Sequence, residues 1–293
     1  MKELELAQKR IDREVRLEAH LGADRVVLAE DKWQALKEER KYKPKFLANT
    51  GLVSLDKCVD GFRKGQLIIV SGPPKQGKTS LCQTFTKSFV ENNQKCLWFS
   101  YELSYEEVFE KFPMEKLDFY VPNYMESGNL DWVEDRIIES KQKYGTEIVF
   151  IDHLDFLRDP DVLKGISLNL SSYIGGIVQK IKRMAVEHDL VVFLMSHIRK
   201  NKWTTNDLPS SEELRDSGQI AQLADIVLML MRKRAERGSE EVYTGNSAVL
   251  GIMENRHNGR TKKIHLEFED KKYRESEYEG YNDVSLARPK NDW

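Results

Sequence analysis

Short apolar runs recur along the middle of the chain, and segments with helical periodicity separate them. Continuous apolar strands that alternate with helices are typical of a parallel sheet covered on both faces. The pattern therefore predicts an α/β fold with a twisted, mostly parallel sheet. The strand-like runs are Gln66–Val70, Cys96–Ser100, Glu147–Ile151 and Leu190–Met195, and the helical segments include Thr79–Val90, Tyr105–Phe112 with Ser104 as its N-cap, and Leu170–Glu187.

Three further strand-like runs follow, at Asp225–Met231, Ala248–Met253 and Lys263–Phe268. The last two lie close together and alternate between apolar and polar residues, which predicts an antiparallel edge to the sheet. After Asp270 the chain turns polar, and residues 273–293 are expected to form a poorly ordered tail. The core domain is therefore expected to span residues 46–272.

Residues 1–43 mix charges of both signs with apolar residues at near-helical spacing. The pattern predicts two modest amphipathic helices around Gly22, which have too few apolar residues for a core of their own. We expect them to pack on the main domain or on a neighbouring subunit, although a solvated charged helix explains the first of them equally well. Pro44 interrupts the pattern, so residues 1–45 are interpreted as a short helical extension.

The 293-residue chain has a formal charge of −2, with 40% apolar and 32% charged residues. This balance excludes a globally basic nucleic-acid-binding protein, but not a local basic channel. No apolar run approaches the ~18 residues of a membrane span, and the charged N-terminus does not fit a secretory signal. Cys82 and Cys96 lie in predicted core elements, so we expect them to be buried free thiols, which indicates a reducing compartment. We therefore expect a cytoplasmic protein without membrane contact.

The segment Gly72–Thr79 matches the phosphate-binding pattern G-x-x-x-x-G-K-[ST] at every fixed position. It lies between a predicted strand and a predicted helix, an order that an ordinary glycine-rich turn does not require. Its glycines let backbone N–H groups surround a phosphate at the positive end of the helix. Lys78 is expected to reach the β- and γ-phosphates of a nucleoside triphosphate, and the Thr79 hydroxyl to bind Mg²⁺. The expected nucleotide-binding residues are Gly72, Pro73, Pro74, Lys75, Gln76, Gly77, Lys78, Thr79 and Ser80.

Three polar residues follow predicted strands: Glu102, Asp152 and His197. Ligands of an open parallel sheet bind beyond the carboxyl ends of its strands, so these side chains are candidates for the same site. Asp152 has the position of an aspartate that holds Mg²⁺, although a lone aspartate after a strand is often a helix cap. Glu102 either deprotonates the attacking water or is a surface carboxylate. His197 either donates to the γ-phosphate and senses its loss or is a half-exposed polar group.

Two loops expected at the same edge of the sheet carry cations. Cationic side chains can bind the phosphates of a single-stranded nucleic acid, and an aromatic ring beside them can stack on its bases. A charge cluster in one loop is usually a solvated turn, but two such loops at one edge favour a nucleic-acid interface. The residues are Arg199, Lys200 and Lys202, which lie beside Trp203, and Arg158 and Lys164 in the loop after the third strand.

Four segments carry a family resemblance. They are Thr50–Leu67 with its spaced glycines, Ser100–Leu103, Glu213–Ile220 together with Ala224–Val227, and Asn255–Gly259. Together they resemble the DnaB-type replicative DNA helicases, and the similarity covers about residues 48–275. The Ser196–His197 pair is similar to the helicase half of bifunctional phage primase–helicases, in which a histidine takes the phosphate-sensing place.

The resemblance implies a RecA-like P-loop ATPase core that assembles into a homohexameric ring with ATP between subunits. Lys78, Glu102 and His197 of one subunit would act with an arginine finger, Arg256, of the next. The family usually has a lysine where this chain has Glu254, and an anion near a triphosphate is unfavourable unless it points away or pairs with a cation. The N-terminal helices would match the linker helix that docks on the adjacent subunit.

We therefore expect an ATP-driven, collarless helicase motor that moves 5′ to 3′ on single-stranded DNA during replication. A bacterial cell or a phage-infected host is the expected setting, and a primase or loader would be a separate chain. Two alternatives stay open. A DnaB-like ATPase could act on DNA as a recombination or loading accessory without unwinding it. A nucleotide-gated protein-interaction switch would lack a DNA role, which the cationic loop at residues 199–202 disfavours.

Overall fold

The computed structural model describes residues 8–13, 15, 26–42, 46–159, 170–197, 218–237 and 240–276. The chain separates into two compact units, Met1–Phe46 and Leu47–Trp293. In the first unit, helix α1 spans Ala29–Tyr42, and residues 8–13 are also helical. Apolar side chains of this unit, among them Trp33 and Leu28, are exposed. The first unit thus contains helices, as predicted. The described residues of this unit leave several of its apolar side chains exposed.

The second unit is built on a sheet that has eight strands within the described residues. The strands are β1 Leu67–Gly72, β2 Cys96–Ser100, β3 Ile148–Asp152, β4 Val191–His197, β5 Ile226–Arg237, β6 Glu240–Asn255, β7 Lys262–Glu269 and β8 Lys272–Glu275. Their spatial order is β2-β3-β4-β1-β5-β6-β7-β8. The first five strands in that order pair in parallel, and β5 to β8 pair antiparallel. The predicted parallel sheet with an antiparallel edge is therefore confirmed.

Helices connect the parallel strands, and those at Lys78–Glu91, Tyr105–Lys111 and Leu170–Glu187 lie where the sequence predicts them, whereas Leu130–Tyr144 was not predicted. Ser104 caps the helix Tyr105–Lys111 as expected, because its hydroxyl accepts from the Glu107 N–H while the Glu107 carboxylate accepts from the Ser104 N–H. None of the helices within the described residues is long and apolar enough to cross a membrane. The helices are α2 Val53–Val59, α3 Lys78–Glu91, α4 Tyr105–Lys111, α5 Leu130–Tyr144, α6 Leu170–Glu187 and α7 Gly218–Leu223, and a 3₁₀ turn spans Leu154–Leu157.

The two faces of the parallel strands are buried by different helices. On one face, aliphatic side chains of the strands form one core cluster with Ile137 of α5 and Ile181 of α6. On the other face, the rings of Phe150 and Phe193 stack 4.9 Å apart, and Phe89 of α3 lies 5.8 Å from Phe193. Successive strand residues therefore enter opposite cores, which explains why each parallel strand is apolar throughout.

The predicted start of the polar tail at residue 273 is wrong, because residues 273–275 belong to β8. Tyr273 is only 3% exposed, and its backbone N–H donates to the Thr84 hydroxyl of α3 over 3.0 Å. Its own hydroxyl donates to the Gln76 carbonyl oxygen in the phosphate loop over 3.3 Å. A strand of four residues with one buried ring is too short to produce a periodic signal, so the boundary at 272 falls inside the sheet.

Gly72 ends β1 in a conformation and a space that only glycine fits. Its φ is +150°, and an added Cβ would lie 2.4 Å from the Leu230 carbonyl oxygen of β5. That oxygen belongs to the backbone of a central strand, so it cannot move without disturbing the sheet. The first glycine of the phosphate-binding pattern is thus also required for the packing of β1 against β5.

We predict that Gly72→Ala lowers the free energy of unfolding by about 2–5 kcal/mol, since it combines backbone strain with a backbone clash. Gly176→Ala is the matched control. It lies within α6, where an added Cβ meets no atom of the described residues within 4 Å, so it should raise stability by about 0.4–1 kcal/mol. Urea unfolding without nucleotide measures both. Equal effects of the two variants would contradict the assigned packing of Gly72.

Candidate functional site

The phosphate loop joins the end of β1 to the start of α3. Gly77 is the N-cap residue of that 14-residue helix, with φ at +91° and no side-chain cap for the first N–H groups. An added Cβ at Gly77 would lie 2.3 Å from the Tyr273 hydroxyl, so β8 holds the loop in place from behind. Uncapped N–H groups at the start of a helix bind anions, as the sequence pattern predicts.

The Lys78 ammonium is buried, and a bound phosphate would displace its present hydrogen-bond partners or lie beside them. Its Nζ donates to the carbonyl oxygens of Gly72 and Pro73, both over 3.0 Å, and lies 2.9 Å from Nδ1 of His197. Burial lowers its pKa to about 8, although the nearby carboxylates of Asp152 and Glu102 oppose this shift. A phosphate anion at the loop would restore the charged form and give the ammonium a stronger partner.

Asp152 and Thr79, which the sequence predicts to bind Mg²⁺, lie in direct contact. The Thr79 hydroxyl donates to Oδ2 of Asp152 over 2.7 Å, and Asp152 is 2% exposed. Burial raises the pKa of Asp152 to about 6, against the hydrogen bond from Thr79. A hydroxyl beside a buried carboxylate is an all-oxygen donor set that fits Mg²⁺. These two residues would hold the ion, which would neutralise charge on the phosphates.

Glu102 and His197 lie beside this pair, as predicted from their positions after β2 and within the end of β4. The Glu102 side chain is 47% exposed, so it can reach a solvent molecule in the site. Burial, and then the charge of Lys78, lower the pKa of His197 to about 4. His197 is therefore neutral at physiological pH and accepts from or donates to its neighbours according to its tautomer.

His153 also belongs to the site, although the sequence did not single it out. It follows Asp152 directly, is 6% exposed, and its Nε2 lies 3.8 Å from Oε2 of Glu102. Its ring centroid is 4.4 Å from that of His197, and burial lowers its pKa. In the sequence, His153 is recognisable only as a second polar residue at the end of β3. The parallel register of β2, β3 and β4 is needed to show that it meets Glu102 and His197.

Arg256 lies beyond the amino ends of the parallel strands, whereas the phosphate loop lies beyond their carboxyl ends. The end of β6 pairs with the start of β5, and the start of β5 pairs with the start of β1. The Arg256 backbone N–H donates to the Asp225 carbonyl oxygen over 2.9 Å, and the Asp225 carboxylate accepts from the Leu67 N–H over 2.7 Å. The length of β1, about 15–20 Å at ~3.3 Å per residue, therefore separates Arg256 from Lys78 of the same chain.

Hydrogen bonds from two asparagines connect the loop that carries Arg256 to the rest of the domain. Asn255 is 3% exposed, and its Nδ2 donates to Oδ1 of Asn258 over 2.7 Å. Asn258 donates in turn to the Cys58 carbonyl oxygen and to the Asp60 carboxylate, both over 2.9 Å. The exposed Arg256 guanidinium contacts the Gln222 carbonyl oxygen of its own chain. Glu254, opposite Val227 in the strand pairing, is also exposed.

Most of the predicted DNA-binding residues, Lys164, Arg199, Lys200 and Lys202, lie outside the described residues. Arg158 is described and forms an ion pair with Asp155 at the end of the 3₁₀ turn. The Glu213–Ile220 segment falls partly outside the description as well, and its last residues begin α7. The predicted DNA interface therefore stays a prediction.

The chain matches the family described as "DnaB-like helicase C terminal domain" over residues 48–135 and 113–277. Its curated relatives include a probable replicative DNA helicase of Trieres chinensis, 27% identical over an alignment of 257 positions that covers 75% of this chain and 55% of the relative. Another is the replicative DNA helicase DnaB of Helicobacter pylori, strain 26695, 26% identical over an alignment of 216 positions that covers 62% of this chain and 43% of the relative. The chain thus spans about half the length of these relatives.

Two solved structures have the same fold. One, an ATPase domain, superposes with a TM-score of 0.70 at 20% identity, and the match covers 86% of this chain and 100% of that chain. The other, a DnaB-like replicative helicase solved in a study of its interactions with primase, gives a TM-score of 0.65 at 19% identity, covering 91% of this chain and 71% of that chain. The predicted RecA-like core is confirmed by these neighbours.

The raised pKa of Asp152 predicts a pH-dependent gain in stability for Asp152→Asn without nucleotide. Above pH 6 the carboxylate is ionised in both states and its burial destabilises the native protein. Below its ordinary pKa of 3.8 it is neutral in both. The variant should therefore be more stable by about 2–3 kcal/mol at pH 7.5, and this gain should disappear as the pH falls through 6 towards 4.

Urea titrations across this pH range measure the effect, with Asp135→Asn on the exposed face of α5 as the matched control. Mg²⁺ should narrow the difference at pH 7.5, because it stabilises only the chain that retains the carboxylate. A pH-independent difference, or equal stabilisation of both proteins by Mg²⁺, would contradict the assigned environment of Asp152.

Proposed function

Because the chain belongs to the family of DnaB-like helicase C-terminal domains, we propose that it is the ATP-driven motor of a ring-forming replicative DNA helicase. The observation that carries the proposal is the division of charged groups between the two edges of one sheet. Lys78, Asp152 and Glu102 converge at the carboxyl edge, whereas Arg256 is fixed at the amino edge. A site completed by Arg256 therefore needs a second copy of the chain.

In the proposed reaction the phosphate loop binds the triphosphate of ATP and Lys78 neutralises its β- and γ-phosphates. Glu102 takes a proton from the water that attacks the γ-phosphate, and its exposure keeps it available for that role. His197 lies 2.9 Å from Nζ of Lys78, so a hydrogen bond to the γ-phosphate would exchange with this contact and report phosphate loss. Mg²⁺, held by Thr79 and Asp152, would supply positive charge at the phosphates.

Arg256 of a neighbouring subunit would stabilise the charge of the transferring phosphoryl group. The clamp of Asn255 and Asn258 supports this role, because it fixes the backbone on both sides of Arg256 and leaves its side chain exposed. The contact with Gln222 would be exchanged for the γ-phosphate when two copies meet. The exposed Glu254 is free to point away from the nucleotide or to pair with a cation of the neighbour.

The other parts of the chain fit the same assembly. The exposed apolar residues of the N-terminal unit would dock on an adjacent subunit as a linker, with a hexamer as the expected ring. The cations at 158, 164, 199, 200 and 202 would line a channel for single-stranded DNA, with movement 5′ to 3′. A primase or a loader, as separate chains, is the proposed class of protein partner, and the cytoplasm of a bacterial cell or a phage-infected host is the proposed location.

One alternative keeps the ATPase but removes unwinding: a DnaB-like accessory for recombination or loading that only binds DNA. Glu254 favours it, since an anion in the usual place of a lysine weakens cross-subunit activation. Strand displacement on a forked DNA separates the two functions. The motor releases the displaced strand in an ATP-dependent reaction, and the accessory hydrolyses ATP without releasing it.

We predict that Arg256→Ala binds ATP normally and loses at least about a thousandfold in hydrolysis rate, as loss of an arginine finger does. Glu102→Ala should also bind ATP and be inactive. Mixing the two inactive proteins should restore part of the activity, because some interfaces then combine an intact Glu102 with an intact Arg256. Arg260→Ala, which removes an exposed arginine of the same loop paired with Asp60, is the matched control. Normal hydrolysis by Arg256→Ala, or no recovery on mixing, would contradict the shared site.

A further inference from the structure

Two imidazoles and a carboxylate converge at the ends of three adjacent parallel strands. The ligand atoms of Glu102, His153 and His197 all lie within 4.8 Å of one another. The residues follow or end β2, β3 and β4, which are neighbours in the sheet. His153 is buried and has no part in the reaction proposed above, so its presence needs a separate explanation.

We propose that Glu102, His153 and His197 form a binding site for a transition-metal ion of the Zn²⁺ class. Two histidines and one glutamate are a common ligand set for Zn²⁺, with the fourth position left to water. Imidazole nitrogens suit Zn²⁺, Co²⁺ and Ni²⁺ and do not suit Mg²⁺, which prefers oxygen. The site is thus chemically distinct from the all-oxygen pair of Thr79 and Asp152 beside it.

The geometry requires a small closing movement. Metal–ligand bonds of about 2.0–2.2 Å place tetrahedral ligand atoms roughly 3.3–3.6 Å apart, somewhat closer than the present separations. The pair of Glu102 Oε2 and His153 Nε2, 3.8 Å apart, is already near this value. The half-exposed Glu102 lies in the turn between β2 and α4 and can approach the two histidines, which the sheet holds in place.

The surroundings of His153 support the assignment. Its Nδ1 lies 3.5 Å from Oδ2 of Asp155 and accepts from the Asp155 backbone N–H over 3.2 Å. With a metal on Nε2, the imidazole hydrogen moves to Nδ1, so the bond from the Asp155 backbone N–H is given up and Nδ1 donates to the Asp155 carboxylate instead. Carboxylate–histidine–metal arrangements of this kind orient the ring and strengthen the metal bond. The ion pair of Asp155 with Arg158 keeps the carboxylate beside the ring.

The surroundings of His197 set a condition on binding. Lys78 Nζ lies 2.9 Å from Nδ1, and a ring whose Nε2 binds a metal carries its hydrogen on that same nitrogen. The Lys78 ammonium therefore has to give up this contact, and it keeps its two bonds to the carbonyl oxygens of Gly72 and Pro73. The metal and the ammonium thus compete for His197, which limits affinity but does not block the site.

A metal ion at this position would inhibit the motor. It occupies the Glu102 carboxylate and the His197 imidazole, the two groups assigned to the attacking water and the γ-phosphate. Inhibition rests on the proposed function, whereas metal binding does not. The nucleotide-free subunit is the form expected to bind Zn²⁺, and ATP hydrolysis should fall in proportion to the occupied sites.

The test is calorimetric titration of the full chain with Zn²⁺ without nucleotide. Wild type should bind one ion tightly per chain, and His153→Gln should bind it at least about tenfold more weakly. Asp155→Asn should also weaken binding, by about 10–100-fold, because it removes the partner of Nδ1. His188→Gln is the matched control, since His188 lies in a second carboxylate cluster with Glu134 and Glu187 and is already paired with Glu134.

Co²⁺ gives an independent readout, because its visible absorption reports the ligands directly. A spectrum of tetrahedral Co²⁺ should appear with wild type and be lost with His153→Gln and with His197→Gln. Thermal melts without metal establish that each variant is folded. Because two ligands are substituted separately, the test remains informative if either His153→Gln or His197→Gln fails to fold. Equal Zn²⁺ affinity of wild type and His153→Gln, or loss of tight binding in His188→Gln, would overturn the metal site.

Zn²⁺ should also lower wild-type ATP hydrolysis at saturating Mg²⁺, and a chelator selective for Zn²⁺ should restore it. If Zn²⁺ binds through His153 but hydrolysis continues unchanged, the inhibitory role is wrong and so are the roles assigned to Glu102 and His197. If Zn²⁺ does not bind but hydrolysis depends on Glu102, the metal site alone is wrong. The two failures are therefore distinguishable.

Discussion

The parallel pairing of β1 with β4 on one side and β5 on the other is the constraint on which the structure depends. It sets Gly72 opposite His197 and brings the ends of β2 and β3 to the same edge. It also brings the start of β5, and with it the end of β6, to the opposite edge. The groups proposed to bind the nucleotide are therefore separated from Arg256 by the length of a central strand. Joining them in one site requires two chains, which is the physical basis of the proposed ring.

The site contains charges whose burial is unfavourable until a ligand binds. Burial raises the pKa of Asp152 to about 6 and lowers that of Lys78 to about 8, so each is shifted towards its neutral form. A metal ion and a triphosphate would reverse both shifts, and part of the binding free energy would then come from relieving this cost. Gly77 and Tyr273 keep the loop in position, so little of that free energy is lost in ordering it.

The sequence predicted those features that depend on local pattern. Strands β1 to β4 and β7, helix α6 and the Ser104 cap follow from apolar runs, periodicity and one capping residue, and they lie within a few residues of their expected positions. Strands β5 and β6 extend well beyond the predicted runs, and β8 was not predicted. The convergence of Glu102, Asp152 and His197 could be predicted because parallel strands end at one edge. Particular side-chain contacts between residues distant in sequence could not be predicted. Tyr273 under the phosphate loop, the clamp of Asn258 on Asp60 and the meeting of His153 with Glu102 are of this kind.

The most direct test of the shared site is an electron cryomicroscopy structure of the full chain with a non-hydrolysable ATP analogue, Mg²⁺ and single-stranded DNA. We predict a closed ring in which the Arg256 guanidinium of one subunit lies within hydrogen-bonding distance of the γ-phosphate held by Lys78 of the next. The Asn255–Asn258 clamp should be unchanged, since it already fixes the loop in the single chain. Nucleotide enclosed by one chain, with Arg256 in solvent or against its own Gln222, would contradict the account.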